Sequence, residues 1–347
     1  MKDNKQLQWL NFAKTVAILA VIADHTKGVL YTNTRISEAS WFSVSLFILI
    51  SGITSYMSNL KLELDYVRAY LHSVKKIFVQ YLIASAICIV AKNGSFDFLV
   101  YLRCLIHFNA TLPLYYVILY LQLMLLSRPL FNILHNNSKN KKGYVVEILV
   151  FFAVVVISAL TTNCTQIMDI YGGGGKVLGG TYLILFYLGM LIARHGVFAE
   201  EGLIKSSVIW LIASSAWFFI WKNMGLCRRL LDENVPFGDG FNPPSITFML
   251  FGVATLFAVY GFCKILEKNK ICKMFVEIGA WLGKHTLHIF MYHTIILWVF
   301  LEPNFNIGNI WIKRVVYLSV VIGASLILEY AIGSCLNFIK QIVKTVK

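Results

Sequence analysis

Two ionisable side chains stand at opposite ends of one apolar run near the start of the chain: Lys14 and His25 in NFAKTVAILAVIADHT, residues 11–26. At about 100° per residue, eleven residues turn a helix through about 1100°, three full turns and about 20° more, so the pair shares one face. Their separation along the axis is about 16 Å, half the hydrocarbon thickness of a bilayer. Asn11, one turn before Lys14, lies on the same face. A histidine, with an ordinary pKa of about 6.5, can take the proton of a hydroxyl at neutral pH. A lysine inside a span costs about 2.5–3.5 kcal/mol on insertion, so it either faces a polar interior with a partner or snorkels to the headgroups. Both readings fit Lys14. Asp24 follows the helix about 100° away from His25, a poor position for bonding the same imidazole, so an orienting group for His25 has to come from another span.

Three more histidines fall in GKHTLHIFMYHTIIL. Positions 285 and 288 share a face, but position 293 lies about 80° from the first and about 140° from the second, and this spacing does not converge on a metal. His293 is expected near mid-depth of its span, as a polar pathway residue or as a packed histidine. Ser51 stands before Gly52 without a GxSxG around it, and the seven cysteines form no CxxC. A covalent nucleophile therefore has no sequence support, and direct transfer is the simpler expectation. YGGGGK, at 171–176, lacks a Ser or Thr after its lysine and reads as a flexible loop, not as a phosphate loop.

The elements that must position these groups are membrane spans. Of 347 residues, 58% are hydrophobic and 14% charged, against about 45–50% and about 25% in a soluble domain. Apolar runs near 9–30, 41–57, 75–91, 112–131, 144–161, 180–194, 206–222, 245–263, 285–301 and 314–333 predict about ten transmembrane helices. The fold class is all-α, a polytopic membrane helix bundle forming a single domain over 1–347. An even number of spans puts both termini on one side. The loops of that side carry 20 Lys and Arg and the opposite loops 10, leaving Lys14 of the 31 inside a span. Both termini are therefore expected in the cytoplasm. The same asymmetry accounts for the net charge of +14 without nucleic acid as a partner. Residues 95–109 are apolar enough to lie in the interface, and 224–245, with its glycines and Pro-Pro, reads as an ordered turn or lid.

Lysine, ten residues, then histidine in the first span resembles the membrane acyltransferases of acyltransferase family 3, in which the basic residue is usually arginine and an aspartate lies three before it. Here those positions are Lys14 and Asn11, while Ala17 and His25 match. WFSVSLFILISGITSY is similar to the family's second span ending in Ser-Gly, here Ser51 and Gly52, and VRAYLHSVKKIFVQYL to the basic segment before the third. LPLYYVILYLQLML resembles the fourth span, GGTYLILFYLGMLIARH the sixth and GKHTLHIFMYHTIIL the ninth, with Thr286, Leu287 and His293 at the family's Ser-Leu and later histidine.

The resemblance implies transfer of an acyl group, usually acetyl, from a cytoplasmic coenzyme A thioester to a hydroxyl of a sugar or other envelope component across a bacterial cell membrane. Acetyl-CoA is then a donor substrate and no cofactor is tightly bound. On that reading His25 is the general base with Lys14 as its catalytic companion, Asn11 and Ser51 support them, and Arg68, Lys75, Lys76 and His293 serve the donor side. The expected partners are acyl-CoA, an envelope glycan and the bilayer. A transporter or exporter of a small polar or saccharide substrate is the competing class, because polar residues inside a helix bundle also mark substrate pathways, although no inverted repeat supports it. A partner subunit without chemistry is the third.

Overall fold

A continuous apolar run in lipid can satisfy its backbone only from within, and all ten runs are helical in the computed structural model. The structure describes residues 2–61, 66–136, 142–163, 177–198, 203–238, 240–304 and 307–345, so the glycine run at 172–175 lies outside the described residues. Helix α1 is Lys2–His25, α2 Thr34–Glu38, α3 Ser43–Leu60, α4 Tyr66–Asn93, α5 Phe98–His107, α6 Tyr115–Asn136, α7 Lys142–Thr162 and α8 Tyr182–Arg194. There follow α9 Leu203–Lys222, α10 Met224–Leu231, α11 Ile246–Leu266, α12 Lys270–Gly283, α13 Thr286–Ile295 and α14 Ile310–Thr345. The chain is an all-α polytopic bundle with no strand among the described residues.

Eight of these helices are long and apolar enough to cross a membrane, and the runs at 180–194 and 285–301 form two shorter helices, α8 and Thr286–Leu301. Both are walled by protein: Leu185, Phe186 and Tyr187 of α8 and Ile289, Met291 and Tyr292 of α13 are all fully or almost fully buried. A helix enclosed by its neighbours is not bound by the lipid thickness.

Two apolar cores meet at α1. Trp9, Leu10, Ala13 and Ala17 pack with α3, α8 and α11. Ile18, Val21 and Ile22 pack with α4, α13 and α14. The first core depends on a close crossing: a Cβ at Gly52 of α3 would overlap the carbonyl oxygen of Phe186, and one at Gly189 of α8 would overlap that of Leu49. Small residues of this kind let backbones approach where lipid gives little hydrophobic drive. Next to the crossing, α7 and α8 share a buried ion pair, Arg194 Nη2 to Glu147 Oε1 at 2.6 Å, with His195 Nε2 at 2.8 Å from the other carboxylate oxygen.

Two elements differ from the sequence expectation. The 224–245 stretch opens with α10, whose Met224 and Cys227 are buried. Apart from Gly225 inside the helix, the proline and glycine signals sit downstream of it, at 236–244, and leave MGLCRRLL able to coil. The basic stretch 264–284 holds a full helix, α12, started by Asn269, whose side chain accepts from the N–H groups of Ile271 and Cys272.

Gly189→Val is expected to lower the thermal midpoint in detergent by several degrees, an overpacking cost of about 1–3 kcal/mol. Gly323→Ala, where an added Cβ meets nothing within 4 Å, is expected to leave it unchanged or raise it.

Candidate functional site

His25 closes α1, and its ring lies 5.1 Å from that of His293 and 5.8 Å from that of Trp298, between centroids. Trp298 also donates from Nε1 to the His25 carbonyl at 3.3 Å. The tryptophan stands on Ile296–Leu301, where α13 widens into a π-helix, a local distortion that recurs at functional sites. His293 is wholly buried. Its Nδ1 lies 2.7 Å from the Phe290 carbonyl, which fixes the proton on Nδ1. Nε2 is then an acceptor, and among the described residues it meets no hydrogen-bond partner. His293 is thus the group from another span that faces His25.

Asp24 looks elsewhere. Its Oδ1 accepts from Ser37 Oγ at 2.7 Å and from Trp41 Nε1 at 3.1 Å, tying the end of α1 to α2 and to the turn before α3. Trp41 stacks on Phe241 at 5.1 Å and 10°, so this end of the bundle presents aromatic faces beside a carboxylate. Tyr31 donates to the Ala23 carbonyl. Burial, with the Asp24 carboxylate nearby, pushes its phenol up to about 12, which keeps it a neutral donor at physiological pH.

At the other end of α1, half-buried Lys14 donates to Asn11 Oδ1 at 3.3 Å. Lys76 of α4 is near enough to act on it electrostatically. Arg68 and Lys75, on the same helix, carry exposed side chains. The turn bearing Lys14 is gripped by α12: Thr15 Oγ1 donates to the Gly279 carbonyl, and Gly283 meets the Asn11 backbone so closely that a Cβ would overlap its carbonyl oxygen. Between the two ends Ile18, Val21 and Ile22 are 0–3% exposed, a dry layer on α1. Ser51 is half-buried on α3; it donates to its own Phe47 carbonyl at 2.8 Å and lies beside the Tyr116 phenol. Tyr116 contacts Phe290 at 5.1 Å, and Phe290 contacts His293 at 5.8 Å, so ring contacts link Ser51 to the histidine pair.

The structure therefore groups His293 with His25 and not with the basic residues of α4. His285 and His288 join a residue that sequence reasoning missed, Glu329 of α14, whose carboxylate lies 2.8 Å from His285 Nδ1 and 3.0 Å from His288 Nδ1. A carboxylate within a long apolar helix is itself a functional signal. Among the described residues no set of three His, Cys, Asp or Glu side chains is placed to hold a metal ion. Trp298 gave no sequence signal, because an apolar aromatic in a span reads as lipid-facing.

A polytopic helical bundle that holds a histidine pair at one end of α1 and half-buried lysine chemistry at the other is a membrane protein built around polar work. Residues 7–333 match the family model described as "Acyltransferase domain", and the chain belongs to that family, acyltransferase family 3. No curated protein and no solved structure matches it.

Glu329→Ala is expected to destabilise the protein by about 1–3 kcal/mol, since the carboxylate serves two buried or half-buried imidazoles. In a double-mutant cycle by thermal unfolding, His285→Ala is expected to cost clearly less in the Glu329→Ala background than in the wild type; equal costs would show that the contact carries no energy.

Proposed function

We propose that the protein is an O-acyltransferase that moves an acyl group, acetyl in the first instance, from acyl-CoA to a hydroxyl of a cell-surface polysaccharide or related envelope molecule, across a bacterial cell membrane with both termini cytoplasmic. The observation that carries the reading is the imidazole pair. His293, with its proton held on Nδ1 by Phe290, offers Nε2 as an acceptor toward His25. A His25 N–H that turned to donate to it would leave the second imidazole nitrogen free to take the proton of an acceptor hydroxyl. The hydroxyl oxygen then forms the new C–O bond at the thioester carbonyl, the C–S bond breaks, and the thiolate leaves and is protonated to coenzyme A. Asp24 stays with Ser37 and Trp41 and shapes the acceptor side together with the Trp41–Phe241 stack.

On the donor side Lys14 and Lys76 are two like charges that act on one another electrostatically, an arrangement that favours an anionic ligand. The donor's phosphates are assigned there, with Arg68 and Lys75 exposed on the same helix. The pantetheine arm then reaches toward His25 past Ser51 and Tyr116, both half-buried. Asn11 holds the Lys14 ammonium in place.

The test is label transfer from radiolabelled acetyl-CoA to envelope glycan by the purified protein. His25→Ala is expected to lose activity by about a hundredfold or more; unchanged transfer sinks the catalytic role. Lys14→Arg is expected to retain or raise activity and Lys14→Ala to lose it mainly in the KM for the donor, whereas a merely snorkelling lysine tolerates glutamine. His293→Ala is expected to lower kcat and to move the pH profile, which a packing role alone would not do. No transfer to any glycan, with uptake or efflux by vesicles, would make the protein a carrier.

A further inference from the structure

Helix α12, Lys270–Gly283, divides into three arcs. Val276, Gly279, Ala280 and Gly283 are buried, and the two glycines meet α1 at Phe12 and Asn11. Lys270, Lys273 and Glu277 follow around the helix and are exposed, with Lys268 before it and Lys284 after it also exposed. The third arc is apolar and open: Ile271 is 69% exposed, Met274 51%, Phe275 61%, Ile278 56% and Trp281 51%. At about 100° per residue these five fall within about 120° of one another. Among the described residues no helix covers that arc, and the same chain carries eight helices long and apolar enough to cross a membrane.

We propose that α12 is an interfacial anchor for anionic lipid: its open apolar arc enters the acyl boundary of the bilayer, and Lys268, Lys270, Lys273 and Lys284 hold the phosphate-bearing headgroups of one leaflet. An amphipathic helix with Lys beside an aliphatic and aromatic face has this partner. Charge complementarity selects anionic headgroups, because one acidic residue, Glu277, stands among the four lysines. The opposite arc of the same helix grips the turn carrying Asn11, Lys14 and Thr15 through backbone contact. Seating of α12 on the leaflet therefore sets the position of Lys14, and lipid charge becomes a determinant of the site. The anchoring does not depend on the transfer reaction proposed above.

The full chain is reconstituted in phosphatidylcholine bilayers containing phosphatidylglycerol, with one or the other lipid brominated, and the contribution of Trp281 is taken as the difference between wild type and Trp281→Phe. Brominated phosphatidylglycerol is expected to quench Trp281 about twofold or more beyond brominated phosphatidylcholine. Replacing Lys268, Lys270, Lys273 and Lys284 by glutamine is expected to bring the two to equality while quenching by phosphatidylcholine persists, because the apolar arc stays seated. Equal quenching by both lipids in the wild type overturns the headgroup assignment. Absence of Trp281 quenching, or disulfide trapping of Ile271→Cys between two copies of the chain, overturns the lipid as the occupant.

Discussion

An apolar helix can carry polar groups at both ends only if its neighbours meet them, and α1 is the helix on which this constraint falls. Asn11 and α12 meet the Lys14 turn, while His293, Trp298 and the Ser37–Trp41 pair surround the His25 end. Both apolar cores are arranged around the stretch between them. The glycine crossing of α3 and α8 serves the same end: it lets α8 be short and deeply buried, and it stands one residue from Ser51.

The two ends of α1 use different physics. At the lysine end, close packing does the positioning, because Gly283 meets the Asn11 backbone and Gly279 the Phe12 ring with no room for a Cβ between. At the histidine end, the positioning is by hydrogen bonds and rings, with a backbone carbonyl of α13 fixing the His293 tautomer and a π-helical widening presenting Trp298. Removing a methylene or adding one is therefore felt mainly at the first end, and changing a donor or acceptor mainly at the second.

Much of this was legible in the sequence for local reasons. The shared face of Lys14 and His25 follows from helical spacing alone, and so does the divergence of Asp24 from His25. The eight long apolar runs are helices because lipid allows their backbone no other partner. The proximity of His293 to His25 was not legible, since residues 268 positions apart are brought together only by the packing of α13 on α1. Glu329 was legible in principle, as a lone carboxylate in a long apolar helix, but its histidine partners lie on another element. Helix α12 was hidden by its lysines, which read as loop charge and masked the spacing of Ile271, Met274, Phe275 and Ile278.

The dry layer formed by Ile18, Val21 and Ile22 has an electrical meaning. A polar residue at each end of a helix could support a file of water between them, and such a file conducts protons. Three branched side chains packed against α4, α13 and α14 interrupt it. The bundle can thus hold ionisable groups at both ends of α1 and still insulate one from the other, so that polar work at either end opens no proton path through the layer between them.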